Sequence, residues 1–436
     1  MGAVCWLGSG VRLGSVLPSI VYQAIPPRTS TRPAPQGGPE KAAESCHNRC
    51  MKNSGNIAPK TKLEALRTRL VSWLAQAAYP LWAQHGVDPQ NGGFIETLAQ
   101  NGVGLPQPRR ARVHPRQIYA FAQAPAFGWK GDVRRILQRG NDYFVTHYLR
   151  SDGLFRTLAG VDGVSLDDRA LLYDQAFALL GYAAAAAALD ARGEFEKRAL
   201  ELRGAIESRF RADNGAFRSH EDPDGFIESN PHMHLLEACL AWAETGSDPG
   251  WSDWAGHIVD LATQRFIRRG TGSLGESFTA DWRPAPGVAG RIVEPGHQFE
   301  WAWLLLRCES RHPAPLREMA LRLIAIGEQS GVHNRVAVNA LLDDFSVHDA
   351  NARFWPQTER LKAALLAARL MDDTRYWEMA AATAATLLPY LDTPVPGLWF
   401  DVQLPSGELV DSPAPASTFY HLVGAIVALD KSLAAL

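Results

Sequence analysis

The sequence predicts an all-α fold: six helix pairs closed into an (α/α)6 barrel with short β-hairpin loops. Three observations predict it. Turn-like segments recur about every 60 residues, helical apolar spacing fills the stretches between them, and some helices are apolar on every face. The third is clearest in "EPGHQFEWAWLLLR", Glu294 to Arg307, which has no helix breaker after Gly296 and no single apolar stripe. Such a helix is expected to be buried on most sides. Its first turn nevertheless carries His297, Gln298 and Glu300, which are costly to bury without partners.

In chain order, residues 1–60 come first and differ from the rest. Gly, Pro, Ser and Thr dominate, as in "PPRTSTRPAPQGGPEKAAES", and the segment is expected to be disordered. Its start lacks a charged n-region and carries Arg12, so it makes a poor secretory signal, and Met51 is an alternative start. Cys46, His47 and Cys50 lack a second ligand pair at zinc-finger spacing. Five irregularly placed cysteines give no disulfide framework, so a reducing, cytoplasmic location is expected. The net charge of -2, from evenly mixed signs, argues against a nucleic-acid or membrane partner. No apolar run reaches the length of a membrane span.

From residue 61 to 436 the chain is expected to form one domain. "NGGFIETLAQNG" at Phe94, "DGLFRTLAGVDG" at Phe155 and "NGAFRSHEDPDG" at Phe217 share a Gly, an aromatic and a polar strand-like run. Their aromatics are 61 and 62 residues apart. The same step lands on Leu274, on Val336 and on Trp399, which makes six units. Each interval holds two helices, as in "DQAFALLGYAAAAAAL" and "RLKAALLAARLM". An open solenoid is the competing architecture; closure is preferred because all-round apolar helices need an inside.

Polar residues cluster where apolar helices begin. Arg112, His114 and Arg116 precede one; Asn230, His232, His234 and Glu237 open another; Trp355, Gln357 and Glu359 a third; Tyr420 and His421 a fourth. Parallel inner helices would gather these ends at one mouth. His297 and Glu300, at i and i+3, would let the carboxylate orient the imidazole. Trp355, Tyr119, Trp399 and Tyr420 offer flat surfaces to a sugar ring. Each polar residue also has a plain structural reading, strongest for His114 and His232 taken singly. A metal site is disfavoured because His232 and His234 diverge by about 200° on a helix, and no cofactor fingerprint is present.

Five motifs in order, "RQIYAFA", "NPHMHLLEA", "EPGHQFEWAWLLL", "FWPQTERLKA" and "STFYHL", resemble the N-acylglucosamine 2-epimerase superfamily, from about residue 65 to the end. The resemblance implies an (α/α)6 barrel; on the residue readings above, no metal and no cofactor are expected. It also implies His297 and His421 as the catalytic acid/base pair, Arg116 as the cation beside C1 and C2, and Glu300 as the support of the first histidine. Asn230 and His234 would bind the substrate and Trp355 would stack on its ring; Glu359, Tyr119 and Arg112 complete the expected substrate contacts. "APASTFYH" has Ala416 and Ser417 where cellobiose epimerases carry a tryptophan, which argues against a disaccharide platform.

The expected function is a sugar isomerase on a free aldose such as mannose. Proton abstraction at C2 gives a cis-enediolate and then the ketose. A sugar 2-epimerase and a mannose-6-phosphate isomerase are the nearer alternatives, the latter with Arg109, Arg110 and Arg112 reaching the phosphate. An inverting glycoside hydrolase using Asp174, Glu300 and Glu359, or a non-catalytic sugar-binding protein, would be of a different class. A monosaccharide is the expected partner.

Overall fold

The computed structural model describes residues 58–221 and 225–435. The expected disordered segment, with Cys46, His47 and Cys50, lies outside them except that the first helix already begins at residue 58, ahead of the expected boundary.

Twelve helices are found among the described residues. The outer ones are α1 (residues 58–85, with a π-helical turn at Leu74–Ala78), α3 (Val133–Tyr148), α5 (Arg192–Phe210), α7 (Gly250–Leu261), α9 (Leu316–Gly331) and α11 (Thr374–Tyr390). The inner ones are α2 (Val113–Ala122), α4 (Leu172–Ala188), α6 (Ser229–Thr245), α8 (Pro295–Cys308), α10 (Phe354–Met371) and α12 (Ala416–Ala434). Each inner helix touches the next and α12 returns to α2, so the ring is closed and the solenoid is excluded. α1 pairs with α12: Arg67 Nε donates to Asp430 Oδ1 at 2.6 Å, and Tyr79 and Trp82 pack on Phe419. In α8 every residue except Trp303 and Arg307 is buried, as an apolar helix without a stripe requires.

The sixfold repeat has a backbone cause. Gly92, Gly153, Gly215, Gly272 and Gly397 all take φ between 74° and 102°, and Arg335 takes 74°. Left-handed backbone favours glycine, hence the repeated Gly. Two residues on come Phe94, Phe155, Phe217, Leu274, Ala337 and Trp399, so the fifth unit is anchored on Ala337 rather than the expected Val336. The polar residue inside the next inner helix grips this anchor. Backbone N–H groups of Phe94, Phe155, Phe217, Leu274 and Ala337 donate to His114, Gln175, His232, Gln298 and Gln357. Gln175, His232, Gln298 and Gln357 also reach the carbonyl one turn back on their own helix. These bonds satisfy polar groups that the packing of outer on inner helices would otherwise bury unpaired.

The loops are less often local hairpins than the sequence suggests. Arg156–Ala159 with Ser165–Ala170 is one, but Thr97–Leu98 pairs with Ala414–Pro415, Arg109–Arg110 with Arg156–Ala159, and Ile227–Glu228 with Ser277–Phe278. Adjacent loops are thereby stitched into a collar around the mouth.

Candidate active site

All six inner helices send residues into one pocket of about 300 Å³ inside the collar. Arg112 and Arg116 come from the start of α2, Tyr173 from α4, Asn230 and His234 from α6, His297 and Glu300 from α8, Trp355 from α10, and Ser417 and His421 from α12. The pocket continues sideways past Ser219, His220, Glu276 and Ile292. His297 and His421, 124 positions apart, share it, and both rings pack near the Trp355 indole, at 5.2 and 5.4 Å between centroids. Gly296 permits this: a Cβ there would lie 2.4 Å from the Trp355 ring.

The two imidazoles are held in opposite states. His297 Nδ1 is 2.9 Å from Glu276 Oε2, with Glu294 at 4.0 Å. Burial would depress this imidazole, but Glu276 and then Glu294 outweigh it and raise its pKa to about 9. Glu276 is itself positioned by the Ser229 hydroxyl and the Glu294 N–H. His421 Nδ1 faces Glu359 Oε1 at 2.8 Å, yet burial, Arg116 and Lys362 hold its pKa well below the usual value. At neutral pH the His297 environment favours the protonated ring and the His421 environment the neutral one.

Around them lie groups suited to a polar, oxygen-rich ligand. Arg116 donates to Ser417 O at 3.2 Å and Tyr173 Oη at 2.5 Å, sits 4.0 Å over Phe177, and has its buried Nε unpartnered. Asn230 Oδ1 is also buried and unpartnered. Burial, with Glu359 nearby, drives Glu300 well above the usual carboxylate range, and neither of its oxygens has a hydrogen-bond partner. A neutral acid there is a donor aimed into the pocket. Burial lowers His234 to about 3 against the pull of Glu237, so it is neutral. His234, Glu237 and Glu300, and Glu300, Glu359 and His421, each bring three donor atoms within 4.8 Å; the ammonium of Lys362 supplies positive charge among these carboxylates.

Several sequence expectations need correction. Glu300 makes no hydrogen bond to His297; its nearest histidine is His234, at 3.9 Å. The carboxylate on His297 is Glu276, which sequence reading missed because it is 21 positions away in a loop. Glu359 is completely buried behind His421 and holds that ring rather than lining the pocket. Tyr119 and Tyr420 face a separate cavity of about 330 Å³ deeper in the barrel, with Glu237, Trp303 and Lys362. Trp399 is fully buried and stacks on Trp82. Arg109 is buried against Asp88, at 2.5 Å, and is unavailable to a phosphate. Arg112 lines the pocket but is tied to Asp174, at 2.8 Å, which also commits one carboxylate of the hydrolase reading. His114 and His232 are the structural grips described above, as their plain reading had it.

A signal for Glu276 does exist in the repeat. Two residues past each anchor stand Glu96, Thr157, Ser219, Glu276, Asn339 and Asp401. All but Thr157 bond a neighbour in the collar or an inner helix: Glu96 with Arg110, Ser219 with the Glu228 N–H, Glu276 with His297, Asn339 with Arg353 and Asp401 with Thr418. Likewise Tyr173 sits two residues before Gln175, as Trp355 does before Gln357 and Asn230 before His232, so its place in the pocket follows from the same register.

Comparison with known proteins agrees with this fold. The family model described as N-acylglucosamine 2-epimerase matches residues 92–425. The mannose-6-phosphate isomerase of Rhizobium meliloti (strain 1021) is 47% identical over 373 residues, 84% of this chain and 96% of that protein. A D-mannose isomerase of Marinomonas mediterranea is 25% identical over 80% of this chain and 93% of its own. Among solved structures, cellobiose 2-epimerase from Spirochaeta thermophila superposes with a TM-score of 0.77 at 22% identity, covering 86% of this chain and 98% of that one. A D-mannose isomerase crystal structure gives 0.76, also at 22% identity and with the same coverage. No helix among the described residues is long and apolar enough to cross a membrane.

Proposed function

This chain belongs to the N-acylglucosamine 2-epimerase family and is a sugar isomerase or epimerase, and from that premise we propose that it interconverts an aldose of the mannose type with its ketose. One observation carries the reading: two buried histidines, each held by a carboxylate at Nδ1, share a single pocket with the unpartnered Nε of Arg116. His421, neutral, is the base that takes the proton from C2 of the opened sugar. The C2–H electron pair moves into the C1–C2 bond, and O1 takes the proton of the His297 imidazolium. The resulting cis-enediol is held by Arg116 and the Glu300 carboxylic acid. Return of the proton from His421 to C1, with loss of the O2 proton to His297, gives the ketose. Positioned acid/base groups of this kind contribute roughly 10²–10⁴-fold each.

The test is incubation with mannose in heavy water. Fructose formation supports the reading. Deuterium at C2 of recovered aldose without fructose would replace it by a 2-epimerase, and no exchange with any monosaccharide or its 6-phosphate would reject the chemistry.

A second reading, a substrate phosphorylated at C6, is favoured by a specific feature. Arg110 and Arg353 line the pocket with 42% and 38% of their side chains exposed, against Glu96 and Glu294. The 47% identical relative named mannose-6-phosphate isomerase supports it as well. Guanidinium groups on a pocket rim suit a phosphate. A kcat/KM at least tenfold higher for mannose 6-phosphate than for mannose, lost on Arg110→Ala or Arg353→Ala, would favour this reading; equal or better use of free mannose would remove it.

A further inference from the structure

Behind His421, on the side away from the sugar pocket, lies a lysine that the chemistry above does not touch. Lys362 is 2% exposed and stands one helical turn after Glu359 on α10. Its Nζ is 2.7 Å from Glu359 Oε2 and 3.8 Å from the centroid of the Trp303 ring. The other oxygen of Glu359 faces His421 Nδ1 at 2.8 Å. One fully buried carboxylate therefore joins an ammonium to an imidazole. Lys362 borders the deep cavity and does not line the pocket where the sugar would react.

A carboxylate removed from water takes up a proton unless a positive charge is beside it. Burial pushes Glu359 above the usual carboxylate range, and Lys362 is the largest opposing influence. Burial would also depress Lys362, but Glu359 and then Glu237 keep it firmly cationic. The charge on Glu359 decides the tautomer of His421. An ionised Glu359 only accepts, so the ring must carry its proton on Nδ1 and leave Nε2 with a free lone pair. A protonated Glu359 donates to Nδ1, moves the ring proton to Nε2, and removes the base.

We propose that Lys362 is a positioning residue for the isomerisation, keeping Glu359 ionised so that His421 carries its proton on Nδ1 and presents a bare Nε2 to the sugar. This rests on His421 being the base. The other groups facing His421 do not substitute for Lys362. Glu237 is bound to the Tyr420 hydroxyl and to His234, and Glu300 is driven neutral. Arg116 and His297 add positive charge near the imidazole, without an ion pair to Glu359.

The test uses the full chain with Lys362→Met, Lys362→Arg and the double variant Glu359→Leu/Lys362→Met, in which both charges leave together and no acceptor remains for Nδ1–H. Three readouts apply: kcat and KM against pH, the isotope effect with C2-deuterated mannose, and the ¹⁵N tautomer signature of the ring that disappears in His421→Ala. For Lys362→Met the expected result is a kcat lower by about a hundredfold at pH 7 with KM within twofold. The acid limb of kcat moves upward by at least one pH unit, and the ring changes from Nδ1–H to Nε2–H. Lys362→Arg recovers most of the rate and the Nδ1–H form, and the double variant stays slow at every pH. A Lys362→Met protein with the wild-type acid limb and an Nδ1–H ring overturns the proposal. If Lys362→Met does not fold, a fast double variant overturns it. Full activity in His421→Ala would instead sink the base assignment, and the tautomer measurement tells the two failures apart.

Discussion

Glu276 Oε2 lies 2.9 Å from His297 Nδ1, joining a collar loop to the first turn of α8 across 21 residues of sequence. This contact is the largest influence holding a proton on His297. Removing the charge by Glu276→Gln should bring the alkaline limb of kcat down from about pH 9 towards the ordinary histidine range near 6.5. At pH 8, kcat should fall roughly tenfold or more, and a pH–rate profile checks it. An unchanged limb would mean that Glu276 does not set the charge of His297.

The same shift couples to stability. The folded-state pKa of His297 is raised, so its contribution is fully present below pH 6.5 and is lost as pH rises through about 9. The contribution is of the order of 3 kcal/mol. Urea denaturation between pH 6 and pH 10 should show that loss in the wild type and a much flatter curve in Glu276→Gln.

Replacing His297 or His421 by Ala should cut isomerisation by at least about a thousandfold and leave the far-ultraviolet spectrum of a folded helical protein. Near-normal turnover in either variant would show that the acid/base pair is wrongly assigned.

Gly296→Ala tests the packing that brings Trp355 between the histidines. The new methyl would lie 2.4 Å from the indole, so the ring must move. kcat/KM should drop roughly tenfold, about 1.4 kcal/mol. Combining it with Trp355→Phe should leave the pair no worse than Trp355→Phe alone, since a smaller ring makes room. Additive losses would place the damage elsewhere.

His232 provides the contrasting case. It bonds the Phe217 N–H at 3.0 Å and the Glu228 carbonyl at 2.7 Å, the task that Gln175, Gln298 and Gln357 perform in other units. His232→Gln should therefore keep activity within about twofold, whereas His232→Ala should cost about 1–3 kcal/mol by orphaning buried groups. Burial lowers His232 to about 4, so its stability contribution is present above pH 6.5 and is lost as pH falls through 4. His232→Gln should unfold at lower pH than the wild type in an acid titration followed by circular dichroism.

The sequence by itself carried the architecture, because a left-handed residue, glycine in five of the six units, followed by a buried anchor is a local requirement that each unit meets separately, leaving a period visible without coordinates. It also carried His297, His421, Arg116, Asn230, His234 and Trp355 as a set, since inner-helix N-termini repeat the same oddity of polar groups on apolar helices. The tertiary structure alone decided the partners and the depth. Glu300 has the i+3 spacing that suits His297, but a loop carboxylate from the preceding unit reaches the ring first. Tyr119 lies one turn deeper than Arg116 on α2, about 4.5 Å along the axis, and that places it in the deep cavity instead of the pocket. Local rules set which residues begin a helix; which of them meet across the barrel depends on how six helices close around a common axis, a sum over the whole chain that no single segment records.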